Sequence, residues 1–134
     1  MSAIYGLIGN ADLSLLKSMG ERLIHRSSDN QERSPAPGVF LGQSNFDRTS
    51  GGERQDTRQV ITNASIYNKN QVLEALDKRG LNPGENNQSL MGAAYQAFGL
   101  EGFALFNGDF VVAIWDAEDR SLILARDPLG VRSL

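Results

Sequence analysis

The run FALFNGDFVVAIWDAEDRSLILARDPLGV, residues 103–131, decides how this chain folds. Phe103 to Trp115 is strongly β-forming, Glu118-Asp119-Arg120 reads as a turn, and Ser121 to Ala125 reads as the returning strand. The last third of the chain is therefore expected to be a β-hairpin.

Working back from the hairpin, Ser89 to Phe98 reads as a helix stopped by Gly99, and Asn82-Pro83-Gly84 as a turn. Lys69 to Arg79 reads as a helix with Val72, Leu73 and Leu76 inward and Gly80 at the position just past its end. Gln59 to Thr62 is a short strand expected to end at Asn63. Ser44 to Arg58 is polar, contains Gly51-Gly52, and reads as a loop. Gly38 to Gly42 is a further strand, preceded by a polar stretch with Pro35 and Pro37 that also reads as a loop. Leu15, Leu16, Met19, Leu23 and Ile24 fall near helical spacing, with Asp12 or Ser14 as cap, and that helix runs out near His25 to Asp29. Ala3 to Gly9 is a short apolar run ending in glycine, the pattern of a buried strand. Strands interleaved with helices and closed by a hairpin argue for an α+β layered domain.

Composition removes whole classes of chemistry. With 134 residues the chain is one domain's worth and long enough for a real core. It has no cysteine, which excludes disulfides, thiolate metal sites and a cysteine nucleophile. Its one histidine, His25, falls on a polar helix end, a poor setting for a Ser-His-Asp triad, and zinc would have to rest on carboxylates around a single imidazole. A net charge of −3 leaves no electrostatic footprint for nucleic acid or an anionic membrane, and no run of 18 apolar residues could span a bilayer. The N-terminus lacks a basic region followed by a long apolar one, so the cytoplasm is the expected compartment.

Five blocks, in order, resemble the N-terminal domain of asparagine synthetase, a class II glutamine amidotransferase of the N-terminal-nucleophile hydrolases. The family's opening Met-Cys-Gly-Ile-x-Gly is similar to Met1-Ser2-Ala3-Ile4-Tyr5-Gly6 here. Its His-Arg-Gly-Pro-Asp resembles His25-Arg26-Ser27-Ser28-Asp29, and its Asn-Gly-Glu-Ile-Tyr-Asn resembles Asn63-Ala64-Ser65-Ile66-Tyr67-Asn68. Its Asn-Gly-x-Phe followed by Trp-Asp resembles Asn107-Gly108-Asp109-Phe110 with Trp115-Asp116, and its Ala-Arg-Asp-x-x-Gly-Val matches Ala125 to Val131. The resemblance implies a four-layer αββα sandwich of Ntn-hydrolase type, expected to be incomplete at the C-terminus. It makes residues 1–134 a glutaminase-like domain with the synthetase domain absent from this chain.

The resemblance also implies a site. Glutaminase chemistry of this kind is acyl transfer by an N-terminal thiol, with the free α-amino group as base, a role suited to an α-amine pKa of about 7.7–8. Ser2 stands at the nucleophile position. It is either a much weaker hydroxyl nucleophile, usable only if Met1 is removed, or the small residue left where a nucleophile was lost, and the second reading is favoured. Asn63 and Ala64 stand at the oxyanion-hole positions. The Asn63 amide and the Ala64 N–H are suitable donors, although an alanine Cβ disfavours positive φ, and a plain turn at a strand end is an equal alternative. In the substrate clamp, Ser65 replaces a glutamate and Gln88 falls near the aspartate that binds the amino end. No arginine stands between Val39 and Asp47 to grip the carboxylate, with Arg48 as a displaced candidate. Losing several ionic contacts at about 1.5–3 kcal/mol each costs many orders of magnitude in affinity for glutamine. Arg26 matches an arginine near the family's nucleophile, or is a helix-end residue favoured by the macrodipole, and the second reading is favoured. Arg126 and Asp127 are expected to pair and lock the hairpin, and Trp115 to be core.

Fold motifs kept beside altered site residues are similar to β-lactam synthetases and lasso-peptide cyclases. There, the resemblance implies, the N-terminal domain persists as a scaffold beside an ATP-dependent domain that activates a carboxylate and closes an amide. The expected function is thus that of an N-terminal domain of an asparagine-synthetase-like ligase with glutamine hydrolysis lost. An active Ntn amidohydrolase using Ser2 and a stand-alone docking module for a separate synthetase are the alternatives. No cofactor is expected in this chain. ATP and Mg2+ are implied for the missing synthetase domain, which would be a partner in cis or in trans, and a homo-oligomer is left open. Ser50-Gly51-Gly52-Glu53-Arg54 resembles an ATP-binding loop but lacks its Asp-Ser and is taken as coincidence.

Overall fold

The structure, a computed structural model, describes residues 2–10, 12–26, 29–45, 54–55 and 57–134. Two antiparallel sheets face each other. The first has the order β1 (Ala3–Ile8), β3 (Val39–Asn45), β2 (Asp29–Ala36); the second runs β4 (Arg54–Gln55), β5 (Arg58–Ile66), β6 (Gly108–Asp116), β7 (Ser121–Arg126). Helix α1 (Leu13–Arg22) covers the first sheet, while α2 (Lys69–Asp77) and α3 (Asn87–Phe98) form the layer on the second. The result is the αββα sandwich of an α+β fold. No described helix is long and apolar enough to cross a membrane.

Strand periodicity sorts the side chains between layers. On β5 and β6, Val60, Phe110, Val112 and Ile114 point to the helical layer and join Val72, Leu76, Leu90 and Met91 in the larger core. Ile61, Ala113 and Trp115 point the other way and meet Val39 and Leu41 between the sheets. The expectation that Trp115 is core is met. On the opposite side, Tyr5 is clamped between α1 and β3: a Cβ on Gly20 would lie 2.5 Å from its hydroxyl, and one on Gly42 would overlap its ring. Glycine at both positions lets the aromatic ring lie flat against the first sheet.

Helix ends follow local chemistry. The Asp12 side chain accepts from Leu15 N–H, and Asn86 accepts from Ser89 N–H. Gly80 and Gly99 adopt positive φ just past α2 and α3, the conformation that ends a helix without a Cβ penalty.

Several elements differ from the sequence reading. The polar stretch with Pro35 is strand β2, not a loop. It is an edge strand, and Pro35 falls in the register shift between Arg33 and Ala36, where no ladder donor is required. Strand β5 does not stop at Asn63 but pairs with β6 from Arg58↔Asp116 to Ile66↔Gly108, so no turn forms at Asn63-Ala64. Phe103 is not in a strand. Gly99–Leu105 winds as a 3-10 segment, because Phe103 stacks on Tyr95 and the Asn68 side chain ties down Leu105 O and Asn107 N–H. Strand β3 extends the expected Gly38–Gly42 to Asn45. The proposed loop at 44–58 contains β4, while residues 46–53 and 56 lie outside the described residues.

Candidate functional site

The entry to β1 and the middle of β5 build the centre of the site. Ser2 immediately precedes β1, and Asn63 lies in the middle of β5, on the face turned toward the first sheet. The Ser2 hydroxyl donates to Asn63 Oδ1 at 2.7 Å, and Asn63 Nδ2 donates to the Ser2 carbonyl oxygen at 2.7 Å. Because only a nitrogen can donate to that carbonyl, the two bonds together fix which way the amide points.

Ala64 follows on the opposite face, its methyl against the helical-layer core. Arg120 is the non-glycine residue with positive φ among the described residues, so alanine sits at position 64 without backbone strain. The Ala64 carbonyl accepts from Asn87 Nδ2 at 2.8 Å, outside the β5–β6 ladder. Since N–H and C=O of one residue in an antiparallel strand point to the same side, the Ala64 N–H too lies on the side of β5 turned away from β6. Two residues earlier the same edge is closed by a side chain. Gln43 Nε2 donates to Thr62 O at 2.9 Å, and Gln43 Oε1 accepts from Thr62 N–H at 3.4 Å, so the amide imitates a neighbouring strand.

Gln88 belongs to this buried network. It is fully buried, and its Nε2 donates to Gln43 Oε1 at 3.3 Å. Ser65 returns to the inter-sheet face, where its hydroxyl accepts from Arg132 Nη2 at 3.1 Å. Arg26 lies just past α1, its N–H donating to Leu23 O. Arg48 lies outside the described residues, as do Met1, Ser27, Ser28 and the Ser50 to Glu53 run.

These groups meet on a cavity of about 760 Å³ between the sheets, at the edge formed by β1 and β7. Ser2, Asn63, Arg26 and Arg132 supply its polar wall; Ile4, Leu41, Ile61 and Leu122 are among its apolar residues. The cavity thus gathers Ser2, Asn63 and Arg26, while Ser65 reaches it through Arg132 and Gln88 is spent in the core. His25 lies apart, its Nδ1 3.2 Å from Arg22 O.

Arg132 was not legible as a site residue. Its placement depends on Asp127, whose buried carboxylate accepts from Phe110, Val131 and Arg132 N–H at 3.3, 3.0 and 3.3 Å. Those backbone donors, that of Val131 foremost, hold its carboxyl below the usual range against the opposing effect of burial. Asp127 so folds the segment after β7 back toward β5. The expected Arg126–Asp127 pair does not form among the described residues; the Arg126 guanidinium instead lies by Gly130.

The family model that describes a glutamine amidotransferase domain matches residues 1–134. The chain belongs to that family. Among the relatives of this amidotransferase domain is glutamine-hydrolysing asparagine synthetase 1 of Bacillus subtilis strain 168, 30% identical over 129 residues that cover 90% of this chain and 20% of the relative. Glutamine-hydrolysing asparagine synthetase 2 of Oryza sativa subsp. japonica is 27% identical over 143 residues, covering 98% of this chain and 24% of the relative. The amidase chyE of Penicillium rubens is 26% identical over 82 residues, 61% of this chain and 12% of that protein. The amidotransferase domain therefore spans between a fifth and a quarter of the two synthetases' length.

Proposed function

We propose that this amidotransferase domain no longer hydrolyses glutamine and serves as the scaffold domain of an asparagine-synthetase-like, ATP-dependent amide-forming ligase of the lasso-peptide cyclase or β-lactam synthetase type. The observation that carries the loss of hydrolysis is the Ser2–Asn63 pair. A working nucleophile must pass its proton to a base, and an oxyanion donor must face the substrate. Here the Ser2 proton rests on an amide oxygen, which is no base, and one of the two Asn63 Nδ2 hydrogens is spent on the Ser2 carbonyl. The clamp positions support the same reading: Ser65 is neutral and held by Arg132, and Gln88 is fully buried.

The ligase half of the proposal rests on the synthetases among the relatives, each several times longer than the matched region. A synthetase domain, in cis or as a separate chain, would supply ATP and Mg2+ chemistry. Its contribution would be to activate a carboxylate for attack by an amine. The test is ammonia release from glutamine by the purified chain and by Ser2→Cys. Both should stay at background, because a thiol restores the nucleophile and not the clamp. Turnover by the unmodified chain would overturn the reading.

A second reading, an Ntn amidohydrolase using Ser2, is favoured by one feature: the Ala64 N–H on the side of β5 turned away from β6, next in sequence to Asn63. It requires removal of Met1. Intact mass and labelling of Ser2 by an electrophilic amide analogue decide it; a retained Met1 ends it.

A further inference from the structure

The wall of the inter-sheet cavity includes two arginines, Arg26 and Arg132, and no Asp or Glu. Among the described residues neither arginine has a carboxylate within ion-pair distance. Among the described residues, the Arg132 side chain donates to the neutral Ser65 hydroxyl and its buried Nε has no partner. A part-buried guanidinium without a carboxylate partner is costly, and an incoming anion would pair its charge. Most of the remaining wall is apolar. Ile8 and Leu124, more than half exposed, stand on it together with the buried Leu41 and Ile61. At about 760 Å³ the space falls within the roughly 300–1,000 Å³ of small-molecule sites.

We propose that this cavity binds an apolar-tailed monocarboxylate, with the carboxylate between Arg132 and Arg26 near Ser2 and the tail along β1, β5 and β7. The charge pattern discriminates against an α-amino acid. An ammonium finds no Asp or Glu side chain on the wall, whereas a simple acyl carboxylate meets two arginines and an apolar surface. The proposal rests on the reading that glutamine is no longer the ligand.

Isothermal titration of the purified chain with decanoate, decylammonium, decanol and glutamine tests it. Decanoate should bind saturably at one site, and decylammonium and glutamine at least tenfold more weakly. Arg132→Gln and Arg26→Gln should each weaken decanoate at least tenfold and leave decanol unchanged, with Arg132→Lys intermediate. In the unmodified chain, where no variant has to fold, decanoate should shift the methyl resonances of Ile8, Ile61 and Leu124. No saturable binding, equal binding of decylammonium, or shifts confined to other residues would overturn the proposal. Ammonia release from glutamine alongside decanoate binding would overturn the scaffold reading alone; no ammonia and no decanoate binding would overturn this site alone.

Discussion

Ser2 and Asn63 close a two-bond ring across the sandwich, joining the entry to β1 in one sheet to the middle of β5 in the other, 61 residues apart in sequence. The ring uses both ends of the Asn63 amide on one partner. It therefore acts as a cross-sheet fastener as well as occupying the nucleophile position.

Asn63→Ala is expected to destabilise the chain by about 1–3 kcal/mol, because it strands the Ser2 carbonyl and hydroxyl in a part-buried setting. Ser2→Ala, which keeps the carbonyl bond, should cost about 1 kcal/mol or less. Urea unfolding of both singles and the double measures the coupling, expected at roughly 0.5–3 kcal/mol for residues in direct contact. Additive effects would mean that the hydroxyl bond does not hold the sheets together.

Gln43 is the second fastener. It lies 1% exposed on β3 and carries Thr62 N–H, Thr62 O and the Gln88 amide on one side chain. Gln43→Leu keeps the volume and removes every partner, so several buried polar groups are orphaned at once at about 1–3 kcal/mol each. The expected outcome is a chain that is unfolded or molten at 37 °C, read by loss of near-UV circular dichroism. Gln43→Glu, which keeps one acceptor, should fall between. A native-like Gln43→Leu would refute the role of a surrogate strand.

The hairpin, the three helices and the Ala125 to Val131 block were legible because local patterns dictate them: a β-forming apolar run in Phe110 to Trp115, helical spacing in Val72 to Leu76, glycines at 80 and 99. Strand β2 was not, because an edge strand of polar residues shows no alternation and Pro35 reads as a breaker until its bulge is seen. The site was half legible. Ser2, Asn63 and Arg26 line one cavity, although Arg26 reads more readily as a helix-end residue. Gln88 reads identically as a ligand or a core amide, since burial alone distinguishes them. Arg132 depends on a chain reversal that Asp127 creates, a long-range fact with no local pattern.

Packing around Tyr5 gives a sharp test. Gly42→Ala would drive a Cβ into the Tyr5 ring, which α1 prevents from retreating through Gly20. A loss of about 1–3 kcal/mol is expected from overpacking. Gly84→Ala is the control: its Cβ would meet only the end of the Asn86 side chain at 3.8 Å, and the effect should stay within roughly 0.5 kcal/mol. Burial, with Glu32 beside the hydroxyl, pushes the Tyr5 phenol up to about 12. Its folded value exceeds the unfolded one, so its contribution is complete below about pH 10 and is lost as pH rises toward 12. Absorbance titration near 295 nm should show one phenol that ionises only as the fold opens.

At acid pH the sign reverses, and Asp127 governs it. Its carboxylate is held below the usual range by the N–H groups of Val131, Arg132, Phe110 and Gly130, with burial opposing. Asp116 is lowered as well: burial alone would raise it, but the Arg58 guanidinium at 2.8 Å and the Glu118 N–H at 3.0 Å prevail. For both groups the folded value lies under the unfolded one, near 3.9. Their contribution is therefore complete above that value and disappears as pH falls through the depressed folded values. Melting temperature should be flat from pH 7 to about pH 5 and fall steeply below about pH 4. Asp127→Asn places an N–H among backbone donors or leaves at least one of them unmet. It should lower the melting temperature by roughly 5 °C or more at pH 7 and flatten the acid limb of the profile. Because Asp127 also positions Arg132, the same variant should weaken decanoate binding at pH 7. A variant with an unchanged acid limb would show that the turn at Asp127 does not control acid stability.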